Sequence, residues 1–218
     1  MSDKAIVVVG AGPGVSGSVA RRFARDGYDV GLVGVDQTVL ETLAVELRGL
    51  GVDVESAVVD ITDVSAATSA IAGLAERFGR VDVLHFNPSA FREKDPLHLS
   101  VSELLDDVAL GVGALLTSVQ AVRPHLRAGS RVTATGSMAA DKPWNMAASL
   151  GVQKAGLRNL VRSLDTTLAP DGIRAVSVTV RGSLGKDGPF TPERVGEAIY
   201  EAASQDEDDW RTEVPYTG

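Results

Sequence analysis

The 218-residue chain contains no cysteine. That absence excludes disulfides, thiolate nucleophiles and sulfur-ligated metal centres, and it suits a reducing compartment. Histidine is scarce, and His85, His98 and His125 fall at no metal-ligand spacing, so no metal site is expected. Basic residues are outnumbered 21 to 29, giving a net charge of −8 and a sequence pI of 4.9. Such a surface repels phosphate backbones, and no Lys/Arg cluster overrides it locally, so nucleic acid is not an expected partner. Long apolar runs are also missing. The stretch 5–9 that follows Lys4 is too short for the core of a signal peptide and ends in glycines, so no membrane association and a cytoplasmic location are expected.

What is present is an ordinary globular composition, 44% apolar and 23% charged, in a length that suits one α/β domain over 1–218. Residues 5–9 read as a β-branched strand, followed by a glycine-rich turn and then by Val19, Ala20, Phe23 and Ala24 at helical spacing. The alternation continues with strands expected over 29–35, 52–59 and 81–86 and helices over 37–50 and 64–78. A long helix is expected over 100–128, a strand over 131–135, a helix over 147–168 and a sixth strand over 174–180. Thr191 before Pro192 marks an N-cap for a helix running to 203, and 210–216 reads as a seventh strand. Helices between strands at this rhythm imply right-handed crossovers, hence a doubly wound parallel sheet in a three-layer α/β/α domain. No repeat or composition shift marks a second domain.

Gly10, Ala11, Gly12, Pro13 and Gly14 lie where the first strand turns into the first helix. Phosphates need backbone N–H donors and close approach there, so this turn points to a dinucleotide. Glycine also serves any tight turn, and the pattern carries weight only because the strand-helix alternation follows it.

At this turn the chain resembles the short-chain dehydrogenase/reductase family. Gly10 and Gly14 match two of the family's three glycines, Val15 follows, and Ser16 stands at the third with Gly17 just beyond. The Ser16 hydroxyl is expected either to donate to phosphate or to crowd it. Asp60, Ile61, Thr62 and Asp63 resemble the family's adenine-contacting segment, and Asp63 or Thr62 equally suits a helix cap. Asn87 matches the second asparagine of the motif after the fourth strand. The resemblance covers about residues 4 to 180 and implies a Rossmann fold, NAD(P) as cofactor and a small-molecule substrate.

For cofactor choice, Gly34 sits at the usual acidic position and Val35 at the usual arginine position. Asp36 is one or two residues late, a ribose ligand or an N-cap. With no basic residue to neutralise a 2′-phosphate, NAD is favoured over NADP.

The family's catalytic spacing is intact and its content is not. Ser137 matches the serine and Lys154 the lysine, but Leu150 occupies the tyrosine position and Gly111 the asparagine position. A leucine has no proton to give. Lys154 is expected to hold the nicotinamide ribose, and Ser137 either to act on substrate or to bond locally. His85, Ser149 and Asn145 are candidate replacements for the tyrosine, with His85 the best titrating one, although a lone histidine at a strand end is commonly structural. Arg181 reads either as an anion-holding residue or as a solvated loop arginine. Only nine residues separate it from Thr191, which suggests an open cleft. Leu157, Leu160, Val161 and Leu164 resemble the surface through which relatives form homodimers and homotetramers, and a core-facing stripe has the same spacing.

Two functions therefore compete. One is an atypical oxidoreductase acting on a small carbonyl or alcohol; the other is a catalytically inactive nucleotide-binding sensor or partner subunit. Non-redox chemistry in the same cleft ranks last, for want of a dedicated acid/base pair.

Overall fold

The computed structural model describes residues 2–218. Seven strands form one parallel sheet in the order β3-β2-β1-β4-β5-β6-β7. They are β1 (Ala5–Val9), β2 (Asp29–Gly34), β3 (Val54–Val58), β4 (Val83–Phe86), β5 (Arg131–Ser137), β6 (Arg174–Val180) and β7 (Glu213–Tyr216). Between them run α1 (Val15–Arg25), α2 (Gln37–Arg48), α3 (Val64–Phe78), α4 (Val101–Val108), α5 (Ala114–Val122), α6 (Ala148–Leu168) and α7 (Pro192–Ala203).

Strand alternation divides the core into two layers. Val7 and Val9 join Leu84, Phe86, Val132 and Ala134 against α3, α5 and α6. Ile6 and Val8 join Leu32, Val176 and Val178 against α1, α2 and α7. A sheet buried on both faces reads as near-continuous apolar runs, which is why β1 is Ala-Ile-Val-Val-Val. The chain moves outward from β1 to β3, then returns to set β4 beside β1. That reversal creates the crevice at the carboxyl ends of β1 and β4 where open sheets of this kind bind ligands.

One expectation changes, and the packing assigns two further segments. The helix over 100–128 is not continuous: α4 passes into a π-helical segment, Ala109–Gly113, before α5, and Pro124 sits in a closing 3₁₀ turn, Arg123–His125. The region Val101–His125 is long and apolar enough, by length and composition, to cross a membrane, although Thr117, Ser118 and Gln120 interrupt its apolar residues. Half of its most apolar window is buried, with Leu115, Val119 and Val122 in the core, so its composition is that of a helix packed on a sheet. Finally, Leu157, Val161 and Leu164 point into the core with Leu168, leaving Leu160 partly buried beside them. Their spacing records packing on the sheet and not an outer contact surface.

Candidate dinucleotide and substrate site

The glycine turn is built by close backbone approaches. Gly10 has φ +77°, and a Cβ there would stand 2.6 Å from Pro88 Cγ. The N–H groups of Gly10 and Ala11 both donate to Val33 O, at 2.9 and 2.8 Å, which ties the turn to β2. Ser16 neither reaches outward nor crowds the turn: its Oγ is buried and accepts from Gly12 N at 3.0 Å. The tight helix contact falls one residue later, because a Cβ on Gly17 would lie 2.5 Å from Gly12 O. Gly17 thus performs the packing that the resemblance assigned to the position of Ser16.

Helices α2, α3, α4 and α7 are capped by the side chains of Asp36, Asp63, Ser100 and Thr191, whereas α1 starts at Gly14 with no side-chain cap. An uncapped helix N-terminus beside such a turn suits an anionic oxygen. Pro13 and Val15 flank it, Val15 buried and facing the adjoining cavity.

At the end of β2, a Cβ on Gly34 would meet Ala11 O and Leu40 Cδ2, both at 3.1 Å, so the usual acidic position is pressed against the turn. Val35 is 72% exposed. Asp36 is exposed and accepts from Val39 N at 3.1 Å, the capping role, which leaves its outer oxygen facing solvent. After β3, Asp60 accepts from both Thr62 N (2.9 Å) and Thr62 Oγ1 (2.7 Å), bonds that hold its carboxyl below the usual range. Asp63 caps α3 through Ala66 N, and Ile61 is buried between them.

A cavity of about 280 Å³ opens from this turn across the ends of β4, β5 and β6. Asn87, Ser137, Leu150, Lys154 and Val180 line it, so the sequence-matched residues converge. Asn87 N donates to Val9 O, and Asn87 Oδ1 accepts from Thr135 Oγ1 at 2.8 Å, which locks β4 to both neighbours. Ser137 Oγ accepts from Ala139 N at 3.2 Å, and its proton remains available to the cavity. Lys154, only 5% exposed, donates from Nζ to Thr135 O at 2.8 Å. Burial pushes its ammonium down to about 8. Among the described residues, Lys154 is the one ionisable group on the cavity wall.

None of the candidate replacements for tyrosine serves. His85 is fully buried, its Nδ1 2.9 Å from Thr133 Oγ1, and burial followed by the nearby Lys154 charge pushes it down to about 3. It stays neutral in the core. Ser149 is fully buried, facing Asp107 of α4, and Asn145 is exposed outside the cavity. The three tyrosines stand elsewhere, Tyr28 and Tyr200 around Phe23 and Tyr216 beside Phe190. Arg181 does not enter the cavity: its guanidinium pairs with Asp141 at 3.3 Å and its N–H donates to Tyr216 O. The short segment after β6 contributes Gly182 and Leu184 to the wall, with Gly182 packed beneath Phe190.

One residue escaped sequence reasoning. Gln153, fully buried on α6, accepts from Ala90 N through Oε1 (2.9 Å) and donates to Ala90 O through Nε2 (3.1 Å). A Cβ on Gly111 would stand 2.5 Å from Gln153 Oε1. The amide arriving from α6 therefore fills the space that a side chain from the π segment would take. The available signal was a glycine inside a helical pattern together with a polar residue beside the inward-facing Lys154.

A glycine turn at the switch point, an uncapped first helix and a cavity beyond it define a doubly wound, nucleotide-binding type of α/β protein. A sequence model of the short chain dehydrogenase family matches residues 4–182, and the chain belongs to that family of oxidoreductases. It is 29% identical over 184 residues to the oxidoreductase UcpA of Escherichia coli, which covers 82% of this chain and 68% of that protein. It is also 29% identical over 193 residues to (2S)-[(R)-hydroxy(phenyl)methyl]succinyl-CoA dehydrogenase subunit BbsC of Thauera aromatica, covering 88% of this chain and 76% of that one. Among solved structures, a metagenomic short-chain oxidoreductase in complex with NADP superposes with a TM-score of 0.88 at 25% identity, covering 100% of this chain and 99% of its own. A dehydrogenase/reductase from Sinorhizobium meliloti, at 21% identity and TM-score 0.89, shares the fold.

Proposed function

We propose that this protein is an NAD(P)-dependent oxidoreductase of a small carbonyl or alcohol that works without a tyrosine acid. The observation that carries the proposal is Lys154, a buried ammonium lining the same cavity as Ser137, one α-helical turn from Leu150. The residues fit a dinucleotide: the Gly10–Gly14 turn and the uncapped start of α1 for its phosphates, Asp36 for a ribose, Asn87 and Lys154 for the nicotinamide half. When bound, the cofactor supplies hydride transfer. Ser137 Oγ then donates to the substrate oxygen, and Lys154 Nζ holds the proton reserve beside it. An amine brought to about 8 by burial can exchange protons near neutral pH, where an ordinary lysine cannot. NAD is the preferred form in this reading, since Val35 supplies no charge for a 2′-phosphate.

The competing reading is a nucleotide-binding sensor or partner subunit. Leu150 and the Gln153-filled space over Gly111 favour it, and one relative carries the name of a dehydrogenase subunit. We place the protein in the cytoplasm and read it as a homodimer or homotetramer that covers the exposed Val101, Leu105 and Val152. Light scattering after gel filtration tests the assembly, and a monomer removes it.

Titration with NADH and NADPH, followed by cofactor fluorescence and thermal shift together, tests the main proposal. Saturable micromolar binding of NADH, weaker for NADPH, followed by turnover in a carbonyl screen, is the expected result. No binding of either up to millimolar concentration removes both nucleotide readings.

A further inference from the structure

Beyond the ends of β5 and β6, on the side away from the glycine turn, lies an open cleft of about 670 Å³. Four guanidinium groups line it, from Arg158 and Arg162 of α6, Arg181 after β6 and Arg211 before β7. Against them stand two carboxylates, Asp141 and Glu213. Arg158 bridges both, at 2.5 and 3.4 Å; Arg181 shares Asp141, and Arg162 shares Glu213 at 2.8 Å. Arg211 has no ion pair among the described residues, and the four guanidinium groups outnumber the two carboxylates on this wall, with Glu201, Asp206 and Asp209 lining the adjoining depression that Arg211 also borders. Like charges gathered this way repel one another unless an anion joins them.

Trp210 completes the wall as an apolar surface, its ring packed against the guanidinium groups of Arg131 and Arg174 and its indole N–H closed off from solvent.

We propose that this cleft binds a small multivalent oxyanion, a phosphorylated or polycarboxylate metabolite, at a site separate from the dinucleotide cavity. Arginine forks match the planar oxygens of phosphate and carboxylate. The surplus comes from different elements, α6 on one wall and the chain before β7 on another, so a ligand with two anionic groups satisfies it better than a monovalent ion. The cleft volume falls within the range of small-molecule sites. The segment from Ser137 to Asp141 joins the two cavities, since Ser137 lines one and Asp141 the other. Occupancy that draws Arg181 or Arg158 away from Asp141 therefore reaches the serine of the cofactor cavity through a few residues of chain.

The test uses the full chain with pyrophosphate and citrate as probes, each compared with sodium chloride at matched ionic strength, by thermal shift and calorimetry. Both probes are expected to raise the melting temperature saturably. In R162Q/R211Q, whose side chains are exposed, apparent affinity is expected to fall about tenfold or more, the scale of one lost charge-assisted contact. R211Q alone, which breaks no ion pair, serves if the double variant folds poorly and is expected to weaken both probes. A rise no larger than chloride gives overturns the proposal. So does a rise that both variants retain, because pyrophosphate then sits at the glycine turn.

Discussion

The contact between Gly111 and Gln153 gives the most decisive structural prediction. Gly111→Ala places a Cβ 2.5 Å from Gln153 Oε1 and 3.0 Å from Gln153 Cβ and Cγ. Gln153 is fully buried and both ends of its amide are held by Ala90, so it cannot swing aside without releasing those bonds. Overpacking of this kind costs about 1–3 kcal/mol. Disturbing an amide bonded at both ends adds about 1 kcal/mol per lost bond, against about 1 kcal/mol gained from replacing a helical glycine. The net loss is therefore about 1–3 kcal/mol, or roughly 2–4 °C of melting temperature per kcal/mol in a domain of this size. Gln153→Ala alone leaves a cavity and an unpaired Ala90, at about 2–4 kcal/mol. In the double variant the new methyl group occupies part of that cavity, so the summed loss of the single variants is expected to exceed the measured loss by about 1 kcal/mol or more. Urea unfolding of the four proteins, with unchanged m-values, reads this coupling. Additivity within error, or a Gly111→Ala variant as stable as the parent, refutes the reciprocal packing.

Leu150→Tyr restores an acid one turn from Lys154 and is expected to raise carbonyl reduction by up to about 10²–10⁴-fold. A variant that binds NADH yet gains nothing favours the sensor reading. For pH, both buried bases have depressed values in the fold, so the unfolded chain binds more protons and stability rises with pH through each window. Wild type is expected to lose stability as pH falls from about 6.5 toward 3 because of His85, a slope that H85F reduces; between about 8 and 10.5 it gains relative to K154M as the Lys154 ammonium discharges. Parallel pH curves for each variant and wild type count against those burials. Asp36→Ala removes the cap of α2 at about 1 kcal/mol. If Asp36 also holds the ribose, NADH affinity falls more than NADPH affinity, and equal losses confine it to capping.

The alternation of strands and helices was legible because β1 is apolar throughout and α1 shows a period of about four, patterns that local chemistry alone produces. The convergence of Asn87, Ser137, Leu150 and Lys154 was legible only through the resemblance to the family's motifs. What was not legible depended on contacts between distant segments. Leu157, Val161 and Leu164 make a stripe whose sequence is the same whether it faces a sheet or a second subunit, and only the sheet's position shows that it faces inward. Gln153 and Gly111 are 42 residues apart, and neither announces that one fills the space of the other. The π segment, Ala109–Gly113, leaves no helix-breaking residue to read beyond two tolerated glycines. Register put Ser16 at the family's third glycine, with its hydroxyl either donating to phosphate or crowding it, whereas the close packing falls on Gly17, since an offset of one residue decides which Cα meets Gly12 O.

Lys154 separates the nucleotide readings from a plain scaffold. An ammonium carries three donors, and Thr135 O takes one. Its burial holds it near 8, which places an energetic cost on the folded chain below that pH. In a scaffold, a leucine or methionine would fill the same space without that cost, as Leu150 does one turn earlier. His85 is itself pushed down by its burial and then by the Lys154 charge, so it offers no compensation. Two N–H donors remain on a side chain that lines the cavity together with Ser137 and Asn87, and a ribose diol and a substrate oxygen are acceptors of the kind they lack. The fold thus bears a cost at Lys154 that a ligand in this cavity repays, and K154M is expected to gain stability below pH 8 while losing cofactor affinity. A variant that is both more stable and equally able to bind NADH leaves the lysine without a nucleotide role, and the proposal built on it fails there.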